Sequence, residues 1–332
     1  MRIFLAAGLI LCFSLGTAAS AAAAGFALLE QSVKGLGTGF SGMAARADDP
    51  STVFFNPAGM TLLEGQQAQA AVHLIIPDIT FASEEATNVL GTPLSGGNGG
   101  QGGVTKVAPN AYYTLNAGNG WAFGLGVSVP FGLATKYDRT WVGRYHAVES
   151  DVIALNINPS AAYRVNEHLS LGVGLNAQYI DALLSQMVDF GLLAFSANPL
   201  LLPPSLASNP NADIYSEVNA DDWSYGYNLG LLYEFSEATR LGLSYRSEIR
   251  HELEGDVAFE VPSTFLASID PALAADAETT FTDQGARGDI DLPANAALSL
   301  LHRLGERWTL LADVQWTGWS SFDKLVIEFD SL

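Results

Sequence analysis

The chain has 332 residues, 48% hydrophobic and only 15% charged, with a formal net charge of −20. That charge argues against nucleic acid as a partner. Beyond the first two dozen residues no run of about 18 apolar residues occurs, so no further membrane-spanning helix is expected.

The N-terminus reads as an export leader. Arg2 is a small basic region, Ile3 to Gly16 is apolar, and Ala18 to Ala24 is a run of small residues suited to cleavage. Residues 1–24 are therefore set aside as a signal peptide. The single cysteine, Cys12, leaves with them, so the mature chain is expected to have no disulfide and no cysteine metal site. Leu11 and Phe13 beside it are not the small residues of a lipoprotein signal. An exported, apolar chain with 33 glycines and 11 tyrosines fits an outer-membrane β-barrel. A secreted sandwich or solenoid is the alternative from composition alone.

Residues 25–65 are too broken for a long helix. Gly35, Gly37, Gly39 and Gly42 crowd together, and Asp49-Pro50 and Asn56-Pro57 follow. They are also too apolar for a free linker, with Leu28, Leu36, Phe40, Val53, Phe54, Phe55 and Met60. Such a coil needs walls that bury its side chains and satisfy its backbone. We expect a plug or hatch inside a barrel formed by residues 66–332.

The walls show as period-two alternation. Leu169, Leu171, Val173, Leu175, Ala177 and Tyr179 alternate with Ser170, Gly172, Gly174, Asn176 and Gln178. Residues 222–235, 239–250 and 308–316 repeat the pattern, and aromatic residues end several apolar faces. Nine strands are predicted, near 66–82, 108–116, 121–133, 150–164, 168–186, 222–235, 239–253, 290–303 and 306–320. Short turns at 117–120, 165–167, 236–238 and 304–305 alternate with long connections at 83–107, 134–149, 187–221 and 254–289. This is the short-inside, long-outside habit of outer-membrane barrels. Two long connections are greasy: one carries Leu192, Phe195 and Leu201, the other Phe259 and Phe265. They predict an external apolar groove, or loops that simply pack on each other. Nine is an odd number and 324–329 begins another strand. Leu332 is therefore expected not to be the natural terminus.

The run AGF…GLGTGFSG…ADDPSTVFFNPAGM resembles the N-terminal hatch of the FadL family, outer-membrane long-chain fatty acid transporters that include toluene and xylene channels. VPFGLATKYD at 129–138, NINPSAAYRVNEHLSLGVGLNAQY at 156–179 and WTGWSSFDKLVIEF at 316–329 are further matches. The resemblance implies a fourteen-stranded monomeric barrel, embedded in outer-membrane lipid and plugged by the hatch. It implies a groove between the loops at 187–221 and 254–289, a tighter pocket against the hatch and a kink in the third strand. Asn56, Pro57 and Ala58 fall on the family's gating motif. Pro130, Phe131 and Gly132 fall at the lateral opening, where Pro130 cannot donate to a ladder and Gly132 has no side chain. Phe54 and Phe55 would line the pocket.

Other chemistry is thin. Gly37 to Gly42 satisfies G-x-G-x-x-G, but no strand–turn–helix context surrounds it. The five histidines have no metal-ligand spacing. No G-x-S-x-G elbow exists. No catalytic residue, metal or cofactor is assigned. Arg240, Arg246, Glu248 and Arg250 are expected on one inward face, as an ion-pair ladder or, for Arg246 or Arg250, as a carboxylate contact. The expected function is passive uptake of hydrophobic molecules, fatty acids first and aromatic hydrocarbons second. An outer-membrane lipolytic enzyme and a structural barrel are the readings of another class.

Overall fold

The computed structural model describes residues 25–197, 199–200, 202–322 and 325–331. The expected leader with Cys12, and Leu201, Lys324 and Leu332, lie outside the described residues. No described helix is long and apolar enough to cross a membrane.

Twelve strands form one antiparallel sheet: β1 (Gln66–Ile75), β2 (Lys106–Gly118), β3 (Trp121–Lys136), β4 (Glu149–Arg164), β5 (Leu169–Val188), β6 (Ile214–Ser236), β7 (Thr239–Arg246), β8 (Ile249–Glu260), β9 (Gln284–Leu292), β10 (Asn295–Leu304), β11 (Trp308–Thr317) and β12 (Ile327–Phe329). They lie in nine rows, because β7 and β8 both flank β6, β10 and β9 flank those two, and β11 and β12 come next. The nine periodic segments are thus present, with 239–253 and 290–303 each interrupted. Pro293 marks the β9–β10 break, where a ladder donor is missing. Turns such as Gly118-Asn119-Gly120, all at positive φ, close the short connections.

Burial separates a membrane sheet from a soluble one. On β5, Leu171, Val173 and Leu175 are 44%, 47% and 64% exposed, while Asn176 and Gln178 are each 1% exposed. A water-soluble sandwich would bury the leucines and expose the amides. Oily outside and polar inside is the outer-membrane arrangement. Trp121, Phe123, Tyr163, Tyr233, Phe235 and Trp308 gather near the short-turn ends of the exposed face, as an interfacial girdle does.

Several strands run further than periodicity suggested. Three long connections shrink, to 137–148, 189–213 and 261–283, while the first becomes 76–105 because β1 ends at Ile75. In β6 the covered positions change from Gly226 and Asn228 to Val218 and Ala220, while Asn219 and Asp221 turn outward. Polarity inverts without a change of parity, which hides the strand from a search for outward oily residues.

Residues 25–65 fold as three one-turn helices, α1 (Val33–Leu36), α2 (Met43–Arg46) and α3 (Thr52–Phe55), then a 3-10 stretch, Pro57–Leu62. Helix α4 (Phe190–Ala197) follows β5, and α5 (Ser263–Ile269) and α6 (Pro271–Thr280) follow β8.

Candidate functional site

The N-terminal segment lies against the covered face of the sheet. The Tyr112 hydroxyl donates to the Gln31 carbonyl at 3.1 Å, and Asn116 Nδ2 to the Leu63 carbonyl at 3.0 Å. Thr61 and Ser170 hydroxyls pair at 2.7 Å, and Arg240 Nη1 donates to the Arg46 carbonyl at 2.7 Å. The Ala44 amide donates to Ser299 Oγ, and the Gly42 amide to Asp313. These contacts span β2 to β11.

Asn56 is fully buried at the centre. Its Nδ2 donates to the carbonyls of Ala44 at 2.6 Å and Leu231 at 3.0 Å, and its Oδ1 accepts from the Ala58 amide at 3.1 Å. Pro57 begins the 3-10 stretch, where a missing N–H costs nothing. Two strand glycines are notches for this centre. A Cβ on Gly230 would stand 2.1 Å from Asn56 Oδ1, and one on Gly172 2.3 Å from the Ala58 nitrogen.

Strand β3 breaks where Pro130 predicts. Its pairing with β2 begins at Ala111↔Val127 and runs only toward the short-turn end. Against β4, Ser128 faces Asn156 but Phe131 faces Ala154, so one extra residue is accommodated at Val129-Pro130. The N-terminal segment covers the freed edge. The Leu28 amide donates to the Pro130 carbonyl at 2.8 Å, the Gly132 amide to the Phe26 carbonyl at 2.9 Å, and Gln31 Nε2 to the Val129 carbonyl at 2.7 Å.

A cavity of about 110 Å³ opens between this break and β7, β10 and β11. Phe54, Phe55, Pro57, Pro130, Phe131 and Arg246 all line it, with Asn228. Arg246 is buried, donates to Asn176 Oδ1 at 2.5 Å and the Phe54 carbonyl at 3.1 Å, and lies 4.5 Å from the Phe54 ring centroid. Among the described residues no carboxylate reaches ion-pair distance of it. Around it Asn156, Asn158, Asn176 and Asn228 join in one amide network. Above these, Phe131, Val152, Ala154, Ile180, Ala182, Ala220, Leu253, Ile290 and Leu292 form an apolar cluster, with Phe26, Trp319 and Phe322 packed on it.

Arg250 is elsewhere. Covered residues on β7 are even-numbered (Gly242, Arg246), whereas those on β8 are odd-numbered (Ile249, His251, Leu253). The parity slip at Ser247 and Glu248 turns Arg250 to the exposed face, where it meets Asp289 at 3.0 Å. The expected common face of Arg240, Arg246, Glu248 and Arg250 is therefore corrected: only Arg240 and Arg246 share it.

The outer loops pack on each other. Phe190, Ala194, Leu206, Leu266, Ala274 and Ala277 form one buried cluster, with Phe259 and Phe265 against it. Leu192 and Phe195 are half-buried outside that cluster. A buried ion pair that sequence reading missed stitches three loops together. Arg144 Nε meets Asp213 Oδ2 at 2.7 Å, while its Nη atoms donate to the Ser95 and Ser208 carbonyls at 2.8 and 3.2 Å.

The outer membrane protein transport protein family (OMPP1/FadL/TodX) matches residues 14–331. The chain belongs to this family. It is an outer-membrane β-barrel transport protein of a Gram-negative bacterium. It is 32% identical to an outer membrane protein of Neisseria meningitidis serogroup B, over 95% of this chain and 69% of that one. It is 30% identical to the long-chain fatty acid transport protein of Salmonella typhi, over 91% of this chain and 67% of that one. The crystal structure of a Pseudomonas aeruginosa FadL homologue superimposes with a TM-score of 0.82 at 27% identity, covering 93% of this chain and 73% of that one. The Ralstonia pickettii toluene transporter TbuX shares the fold, with a TM-score of 0.61 at 20% identity over 85% and 71%.

Proposed function

We propose that the protein is a monomeric, passive conduit for hydrophobic molecules, with long-chain fatty acids as the principal cargo. The strands close around residues 25–65, which act as a hatch. Cargo is captured where the loops at 189–213 and 261–283 pack together, at Leu192, Phe195 and Phe265 and at Phe259 on the adjoining end of β8, as that packing opens. It passes to the cavity beside Phe54 and Phe55. A shift of the hatch about Asn56, Pro57 and Ala58 withdraws residues 26–31 from the β3 edge, and cargo leaves sideways past Pro130, Phe131 and Gly132. No energy source or cofactor enters this scheme.

One observation carries the choice of cargo. Arg246 places a buried positive charge at the cavity wall with only neutral partners. A buried cation without a counter-charge is costly. A carboxylate headgroup entering the cavity supplies the missing charge and a charge-assisted hydrogen bond. A neutral hydrocarbon leaves the cation as it was.

The test is uptake of radiolabelled oleate and of toluene in an outer-membrane transport-deficient strain. Arg246→Gln is expected to weaken oleate uptake about tenfold or more, the scale of one lost charged hydrogen bond, and to leave toluene uptake unchanged. Equal loss for both solutes would overturn the carboxylate role. Deletion of Asn56–Ala58 is expected to reduce oleate uptake with barrel insertion intact, and undiminished uptake would remove the gating step.

A further inference from the structure

The ladder of β6 is interrupted on one side. Asn228–Ser236 pairs with β7 and Tyr215–Asp221 with β8, but Asp222–Tyr227 has a strand partner only in β5. Across the gap runs Ser247–Leu253, whose Ile249–Leu253 portion pairs away from β6, with β9. One backbone link marks the lower end: the Ser247 amide donates to the Tyr227 carbonyl at 2.9 Å, and the Tyr227 amide to Ser247 Oγ at 3.0 Å. Alternation along a strand aims the amides and carbonyls of Tyr225 and Trp223 toward the same gap. No rung of β7 or β8 meets them.

Side chains close what the ladder leaves open. Ser224 Oγ donates to the Arg250 carbonyl. His251, fully buried, lies with Nδ1 2.9 Å from Asp222 Oδ2 and Nε2 3.1 Å from Gln178 Oε1. Gly226 lets the start of β8 lean across, since a Cβ there would stand 2.7 Å from Ile249 Cγ1. The two sides of the gap are both apolar. Trp223, Tyr225 and Tyr227 are exposed on the oily face, at 48%, 74% and 46%. On the covered face Leu253 joins Ile180, Ala220 and Phe131 in the apolar cluster. That cluster therefore touches the β3 break through Phe131 and this gap through Leu253.

We propose that the β6–β8 gap is a second lateral opening, latched by Ser224, Ser247 and the His251–Asp222 pair, through which a single-chain amphiphile passes between the apolar cluster and the surrounding lipid. The proposal rests on the transport reading above and adds a route to it. The shape of the gap selects the occupant. With the latch closed, Ser247–Leu253 lies against this stretch. Released, the six residues of β6 that lack a ladder on this side would border a slot roughly 20 Å long, bounded at both ends by paired backbone. An extended acyl chain fits such a slot, and a bulky two-chain lipid does not. Backbone groups left open within lipid are otherwise costly, so a latch that side chains can release is a physically sound closure.

The test uses the full chain in phosphatidylcholine nanodiscs, with palmitic acid bearing a terminal diazirine as probe and mass spectrometry to map adducts. Adducts are expected on 222–227 and 247–253, displaced by excess palmitate. They should rise about five- to tenfold in His251→Ala, the population change for one lost buried hydrogen bond. Ser224→Val is the second variant, should His251→Ala lose the heat-modifiable gel shift of a folded barrel. Hydrogen exchange reads the gap without cargo: the Trp223 and Tyr225 amides should exchange faster than those of Leu229 and Leu231. Adducts spread evenly over all lipid-facing peptides, including 171–175, and unchanged in both variants would overturn the proposal. So would protection of the Trp223 and Tyr225 amides equal to that of Leu229. Oleate uptake with no seam adduct removes this route alone, whereas seam adducts without uptake remove the transport reading and leave the opening.

Discussion

The two halves of the sheet solve opposite problems with the same strands. Toward the short turns, β5 and β6 put Leu171, Val173, Leu175 and Leu229 outward and cover Ser170, Asn176 and Asn228. Toward the long loops, Asp181 and Asp221 face out, and Ile180, Ala182, Val218 and Ala220 are covered. The turnover falls within one step, between the Tyr179↔Trp223 pair and the Asp181↔Asp221 pair. Below it the covered side chains hydrogen-bond residues 25–65 and each other. Above it they make an oily chamber. Outer surface and interior are thus tuned independently on one backbone, because period-two geometry never mixes the faces.

The largest expected effect comes from placing one chemical group on each side of that boundary. Ile180→Asp puts a carboxylate among Phe131, Leu253 and Ile290 with no cation in the cluster. It should cost about 3–5 kcal/mol, read as a fall in the thermal midpoint in detergent. Asn176→Asp, one turnover below, presents the same carboxylate to Arg246 Nη1, already 2.5 Å from Asn176 Oδ1. Stability should hold or rise, while oleate binding falls because the guanidinium is now satisfied. A comparable loss of stability in both variants would erase the contrast between the halves.

That boundary also explains what sequence reading reached. Lipid demands outward oily residues at every second position, so β5, lower β6, β7 and β11 were plain. Periodicity reads Ile214–Asp221 as loop because the demand reverses there. Unbroken alternation puts Arg250 inward, because the slip at Ser247 has no compositional signature. Phe54 and Phe55, expected at a pocket, Pro57, expected at the gate, and Pro130 and Phe131, expected at the lateral opening, all line one cavity; resemblance and Pro130 chemistry single them out, and periodicity does not. Arg144 was not legible at all, since its partner Asp213 is 69 residues away and neither sits in a pattern.

A middle-sized effect tests how tightly the lower half is fitted. Gly230→Ala drives a Cβ to 2.1 Å from Asn56 Oδ1. Asn56 is held from two sides by Ala44 and Leu231 and cannot move alone. A cost of about 1–3 kcal/mol is expected, the range for overpacking a filled site. Gly97→Ala, in the loop 76–105 with open space around its Cβ, should change nothing. Differential scanning calorimetry of the two variants decides whether the strand glycines are fitted notches or incidental.

The smallest effect concerns how the lower half holds its segment at acid pH. Burial by itself raises the Asp48 carboxyl, but hydrogen bonds and charge from Lys34 and Arg46 outweigh it and hold the group below its ordinary value. Both cations lie 3.0 Å from Asp48 Oδ2. A carboxyl depressed in the folded state adds stability above its unfolded pKa, and that stability is lost as pH falls through the folded value. The window therefore lies below about pH 4. Asp48 is 40% exposed, so solvent screens the pair and the effect is modest. Limited proteolysis with pepsin, scanned downward from pH 5, should show residues 25–65 becoming more accessible in wild type as Asp48 protonates. Asp48→Asn should start more accessible and lose that slope, and matching curves for the two proteins would show that the segment is held by its backbone contacts to the strands alone.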